Sequence, residues 1–170
     1  MTLVALLTMT AQTTAQPTTQ TSTQSSSDVD TLTAQDTPRP ITALMRCASP
    51  SGTITRRAFA GGFVFTQTCA GKGEPQQRLV FATDRVGSNP HLLKFHRPEG
   101  RRLSTLNNVT FAAAQKEIAG DIGRLSRRIC RAEGRWRMEG KQPAPALVYW
   151  RQTRNCDGKS GWQVLVNRMR

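Results

Sequence analysis

From Thr53 onward, apolar residues fall at every second position between short clusters of Gly, Ser and Pro. Phe63, Phe65 and Cys69 share one parity, Leu79 and Phe81 form a second such set, and Leu93 and Phe95 a third. Alternation of this kind lines one face of an extended strand, because successive side chains point to opposite sides of a sheet. The clusters Ser49-Pro50-Ser51-Gly52, Gly61-Gly62, Gly71 to Pro75 and Gly87-Ser88-Asn89-Pro90 carry turn chemistry. Strands are therefore expected at Ile41 to Cys47, Thr53 to Phe59, Phe63 to Cys69, around Leu79 and Phe81, and at His91 to His96. Strands at roughly ten-residue spacing predict an antiparallel meander.

The period changes after residue 110. Phe111, Gln115, Ile118, Ile122, Leu125 and Ile129 recur at intervals of four and three, the spacing of one helical face. Thr110 is placed to cap such a helix and Gly134 to end it. Its opposite face would carry Lys116, Arg124, Arg127 and Arg131, with Arg128 to one side. Alternation returns at Ala146, Val148 and Trp150, and again at Trp162, Val164 and Val166, with Asp157-Gly158-Lys159-Ser160-Gly161 as the turn between them. The expected fold class is α+β: a curved antiparallel sheet, element order ββββαββ, with one long amphipathic helix packed across it and disulfide staples.

Charge and cysteine divide the chain. All 24 basic residues lie after position 38, and only Asp28, Asp30 and Asp36 among the 11 acids precede it. Residues 1–15 begin with the apolar run Leu3 to Leu7 and reach a small-residue site at Thr13-Thr14-Ala15. They are expected to act as an export signal, although no Lys or Arg precedes the run. The run falls far short of the roughly 20 residues a membrane helix needs. Residues 16–38 are rich in Thr, Gln and Ser and predict a disordered linker. Residues 39–170 form a single basic domain.

The four cysteines follow one another at intervals of 22, 61 and 26 residues. No Cys-x-x-Cys pair is present, which argues against a zinc ribbon. Of the three pairings open to four cysteines, Cys47–Cys69 and Cys130–Cys156 each close a local unit and are the expected ones. Each bond would add roughly 3 kcal/mol by restricting the unfolded chain. Disulfides imply an oxidising compartment, hence a periplasmic or secreted protein.

A basic domain is suited to polyanions, either nucleic acid or an anionic polysaccharide, or to an acidic protein surface. The expected ligand-binding set is Lys116, Arg124, Arg127, Arg128 and Arg131 of the helix. Arg135, Trp136, Arg137, Tyr149 and Arg151 follow it, where arginines interleave with aromatics that can stack on bases or sugars. Trp150 and Trp162 fall on the hairpin alternation and are expected in the core. Two other classes are open. One is a small secreted hydrolase or nuclease using His96 or His91 with Lys94 for the phosphate. The other is a cytoplasmic nucleic-acid-binding protein with reduced cysteines. No nucleophile motif, phosphate loop, metal-ligand spacing or cofactor signature is present in the sequence.

Overall fold

A computed structural model describes residues 29–47, 50–70, 75–123, 129–154, 156 and 161–168, with backbone alone at 50–52. The chain is nearly all β. It opens with β1 (Val29–Leu32), a short helix α1 (Arg39–Leu44), β2 (Pro50–Phe59), β3 (Gly62–Cys69), β4 (Gln76–Ala82) and β5 (His91–Leu92). A small hairpin follows, β6 (Phe95–His96) and β7 (Arg102–Leu103). The chain then runs through β8 (Asn107–Ala112), β9 (Glu117–Ile122), β10 (Arg131–Glu139), β11 (Ala144–Thr153) and β12 (Gln163–Asn167). Two five-stranded antiparallel meanders result, β1-β2-β3-β4-β5 and β12-β11-β10-β9-β8, with β6-β7 as a two-stranded third sheet.

The expected meander over residues 50–92 is present, and it begins earlier in the chain than the alternation indicates. Val29–Leu32 pairs with Ile54–Arg57 of β2, inside the stretch read as linker. Arg56 Nε donates to Asp30 Oδ2 at 2.9 Å and secures this first strand.

The long amphipathic helix is overturned: among the described residues no helix reaches seven residues. Residues 107–122 form a β-hairpin instead. Phe111 lies in β8, and Ile118 and Ile122 lie in β9. Positions 118 and 122 are four apart, an interval that keeps two side chains on one face of a strand as well as on one face of a helix. The alanines at 112–114 read as helix formers, yet a turn interrupts them. Lys116 N–H donates to the Ala113 carbonyl at 3.1 Å, and Lys116 itself adopts φ +53, which no helix interior tolerates. Gly134, expected as a helix stop, lies mid-strand opposite Gly120 and Trp150. A Cβ there would fall inside the Trp136 indole, so glycine is what lets that ring lie flat along its own strand.

Two further expectations change. Ile41 to Cys47 is not a strand. Pro40 sits in the first turn of α1, where its fixed φ suits a helix and its missing N–H costs nothing. Ile41 and Met45, one turn apart, are both buried. His91 to His96 is not one strand but two: Leu92 pairs with Val80 of the first sheet, and Phe95 pairs with Leu103 of the small hairpin.

Both sheets contribute to one core. Phe59, Val64, Leu79 and Phe81 of the first sheet meet Ile118, Ile122, Ala132, Trp136, Met138 and Trp150 of the second, with Leu93 and Phe95 between them. The opposite face of the first sheet is buried too: Ile54, Phe65, Val80 and Ala82 pack against Ile41 and Met45. The two sheets join at a corner, where Gln77 and Leu106 exchange both backbone hydrogen bonds, at 2.6 and 3.0 Å. The disulfides Cys47–Cys69 and Cys130–Cys156 are the expected pairs, with Cα atoms 5.4 and 5.3 Å apart.

Candidate functional site

The second sheet buries only one face. Along β10, Ala132, Gly134, Trp136 and Met138 point into the core, while Arg131, Glu133, Arg135 and Arg137 alternate outward. Register then places side chains of neighbouring strands in rows across the sheet. Glu133 lies between Asp121 of β9 and Arg151 of β11. Arg135 lies between Ala119 and Tyr149, and Arg137 between Glu117 and Ala146. Four of the predicted binding residues, Arg131, Arg135, Arg137 and Arg151, thus share one face with Tyr149.

That face is a charge ladder rather than a cationic ridge. Arg131 donates to Asp121 Oδ2 at 3.0 Å. Arg151 Nε donates to Glu133 Oε2 at 2.6 Å, and Arg137 donates to Glu117 Oε1 at 2.7 Å. Arg135 stacks over the Tyr149 ring, 5.6 Å from its centroid. Each pair satisfies a guanidinium with a carboxylate or a ring, so little net positive potential remains for a distant anion. A groove of about 330 Å³ runs over these rows, lined by Asn108, Thr110, Asp121, Glu133, Arg135, Tyr149 and Arg151 among others.

Lys116 stands apart, exposed in the β8–β9 turn, with its carbonyl accepting from Met138 N–H at 2.9 Å. Arg124, Arg127 and Arg128 lie outside the described residues. Trp136, expected as a surface aromatic, is completely buried. Its ring packs edge-on against Phe95 and Trp150, and its Nε1–H donates to the His96 carbonyl at 2.8 Å. Trp162 shows the reverse error: expected in the core, it is 39% exposed. It lies beneath the Arg151 guanidinium, 4.4 Å from its ring centroid. Parity alone cannot predict this outcome, because Trp162 precedes β12 and a bulge shifts that strand's register.

The most concentrated cationic element among the described residues lies outside the expected binding set. Hairpin β6–β7 carries Lys94, Arg97, Arg101 and Arg102 around a single acid, Glu99. Lys94, Arg101 and Arg102 are exposed, and Arg102 pairs across the strand from His96. Arg97 is held by Glu99 at 3.0 Å, and its Nε is buried without a hydrogen-bond partner. The signal was legible as five basic or histidine residues between Lys94 and Arg102 around the turn Pro98-Glu99-Gly100.

The histidines do not form a pair. His91 stacks on Phe81 with ring centroids 5.4 Å apart, and its Nε2 meets the Pro143 carbonyl at 3.0 Å. His96 lies on the other short strand, and no hydrogen bond or ion pair links the two rings. No cluster of three or more His, Cys, Asp or Glu that could hold a metal occurs among the described residues, and none of their helices is long and apolar enough to cross a membrane. Among the described residues two acids are perturbed, both away from the ladder. The Arg56 guanidinium holds the Asp30 carboxyl below its ordinary range, and hydrogen bonds from Ser88 do the same for Asp84.

No family model, curated protein or solved structure matches this chain.

Proposed function

We propose that this chain is an exported, disulfide-bonded β-domain that binds an anionic polymer, nucleic acid or acidic polysaccharide, through the β6–β7 hairpin. The carrying observation is the contrast between the two basic surfaces. On the second sheet, Arg131, Arg137 and Arg151 are each bonded to a carboxylate. On the hairpin, Lys94, Arg101 and Arg102 are exposed, with Glu99 as the only acid of the loop and that acid bonded to Arg97. Cations without local acids keep their potential and release counterions when they meet phosphate or sulfate. The two disulfides fit an oxidising, extracytoplasmic environment, and they speak against the cytoplasmic reading with reduced cysteines. The hydrolase reading finds no support in the geometry, because a general acid and base must flank one scissile group.

Binding of a short duplex DNA and of heparin, titrated against salt, tests this reading. The wild type should bind at least one of them with a steep negative salt slope. Arg101→Glu with Arg102→Glu should weaken binding by at least about tenfold and flatten the slope by roughly two. Arg131→Glu should change affinity far less. Absence of binding to both polymers at low salt, or equal losses in the two variants, would overturn the hairpin assignment.

A further inference from the structure

The core-side face of the first sheet extends past the second sheet that covers it. Arg57 of β2 pairs with Val29 of β1 and with Val64 of β3, so the three side chains share that face. Val64 is in the shared core, whereas Val29 is 41% exposed. Beside this margin stands β8, an outer strand of the second sheet. Gln77 of β4 ties the two together, its Oε1 accepting from Val109 N–H at 2.9 Å. The result is a groove of about 390 Å³, with Val29, Arg57, Thr66 and Gln77 on one wall and Val109 and Phe111 on the other. Small-molecule sites ordinarily enclose roughly 300–1,000 Å³.

Arg57 is half-buried in this groove and lies over the Phe111 ring, 4.7 Å from its centroid. It meets no carboxylate among the described residues, and no acid lines the groove. Its neighbour Arg56 points to the opposite face and is bonded to Asp30. We infer that the groove takes a small amphipathic monoanion, a carboxylate with a short hydrocarbon body. A single cation matches a single negative charge. Stacking on Phe111 occupies the flat face of the guanidinium and leaves its edge, whose N–H fork fits a carboxylate in two parallel hydrogen bonds. A charge partly withdrawn from water gains more from an opposite charge than an exposed one does. The Thr66 hydroxyl and the Gln77 amide nitrogen add neutral donors on the same wall. Val29, Val109 and the Phe111 ring offer apolar surface to the hydrocarbon. This site is separate from the β6–β7 hairpin and does not depend on the polymer bound there.

Calorimetric titration of the oxidised full chain with octanoate, and with octanamide as its neutral counterpart, tests the inference. The wild type should bind octanoate with a Kd below about 1 mM and octanamide at least about tenfold more weakly. Arg57→Gln should weaken octanoate by at least about tenfold yet leave octanamide unchanged, and that unchanged binding separates a lost charge from a lost groove. The double substitution Arg101→Glu with Arg102→Glu, on the hairpin, should leave octanoate binding as it was. No octanoate binding by the wild type, or equal affinity for acid and amide, would overturn the inference. So would octanoate binding that survives Arg57→Gln, or that falls as far in the hairpin variant.

Discussion

The two five-stranded sheets differ in how many faces they bury. The first is covered on both sides, by the shared core and by α1, so Val64 and Phe65, or Leu79 and Val80, are buried on opposite faces though adjacent in sequence. The second is covered on one side only, and its open face carries the charge ladder of β10 and its neighbours. A sheet buried twice keeps surface for binding chemistry only where its cover ends, and its strands read as near-continuous apolar runs. A sheet buried once displays a regular array of outward side chains, but adjacency on that array also invites opposite charges to neutralise one another. The concentration of arginine on an open sheet is therefore poor evidence of an anion site, whereas the short β6–β7 hairpin, with fewer cross-strand neighbours, pairs only Arg97 with an acid and leaves Lys94, Arg101 and Arg102 exposed.

Substitutions in the two sheets should separate these roles. The largest effect is expected at Trp136, the anchor of the shared core. Trp136→Ala should destabilise the fold by about 3–5 kcal/mol in chemical denaturation, because both sheets lose their common packing. Loss of under about 1 kcal/mol would mean that the sheets are held together by something other than this core. Ile41→Ala, in the cluster beneath α1, should cost about 2–4 kcal/mol. Hydrogen exchange should show its effect concentrated in α1 and the first sheet, with β9 to β11 still protected. Uniform loss of protection would instead make the two cores one cooperative unit.

The smallest effect concerns the edge strand β1. Asp30, hydrogen-bonded to Arg56, has its folded-state pKa depressed. Its stabilising contribution is present above the unfolded carboxylate value and is lost as pH falls through the folded value. Protection of the β1 amides should therefore decline in acid more steeply than that of β3. Asp30→Asn should remove that extra acid sensitivity while loosening β1 slightly at neutral pH. Identical acid profiles for wild type and Asp30→Asn would show that the Arg56 contact does not hold the strand.

Much of the first sheet was legible because its signals are local. Gly61-Gly62 and Gly87-Ser88-Asn89-Pro90 mark turns, and Phe63, Phe65, Leu79 and Phe81 announce strands that pair with their nearest neighbours in sequence. The second sheet was legible only at its end. Ile118 and Ile122, four residues apart, satisfy a helix and a strand equally. The choice between them rests on contacts with Leu106 and with β10, which sequence spacing does not contain. Of the expected site residues, Arg131, Arg135, Arg137, Tyr149 and Arg151 come together, though on a strand face rather than a helical one. Trp136 and Trp162 exchange their expected roles.

Although the expected turn at Pro50-Ser51-Gly52 is the start of β2, the sequence by itself determined the turns at Gly61-Gly62 and Gly87 to Pro90, the antiparallel meander that follows from them and the cysteine partners. These depend on backbone preference, short-range alternation and chain-local closure. The tertiary structure alone decided which tryptophan is buried, which arginines find carboxylates and where the cover of the first sheet ends. Those outcomes depend on which surfaces meet across the core, and burial and charge pairing are properties of that meeting rather than of any residue's neighbours in the chain.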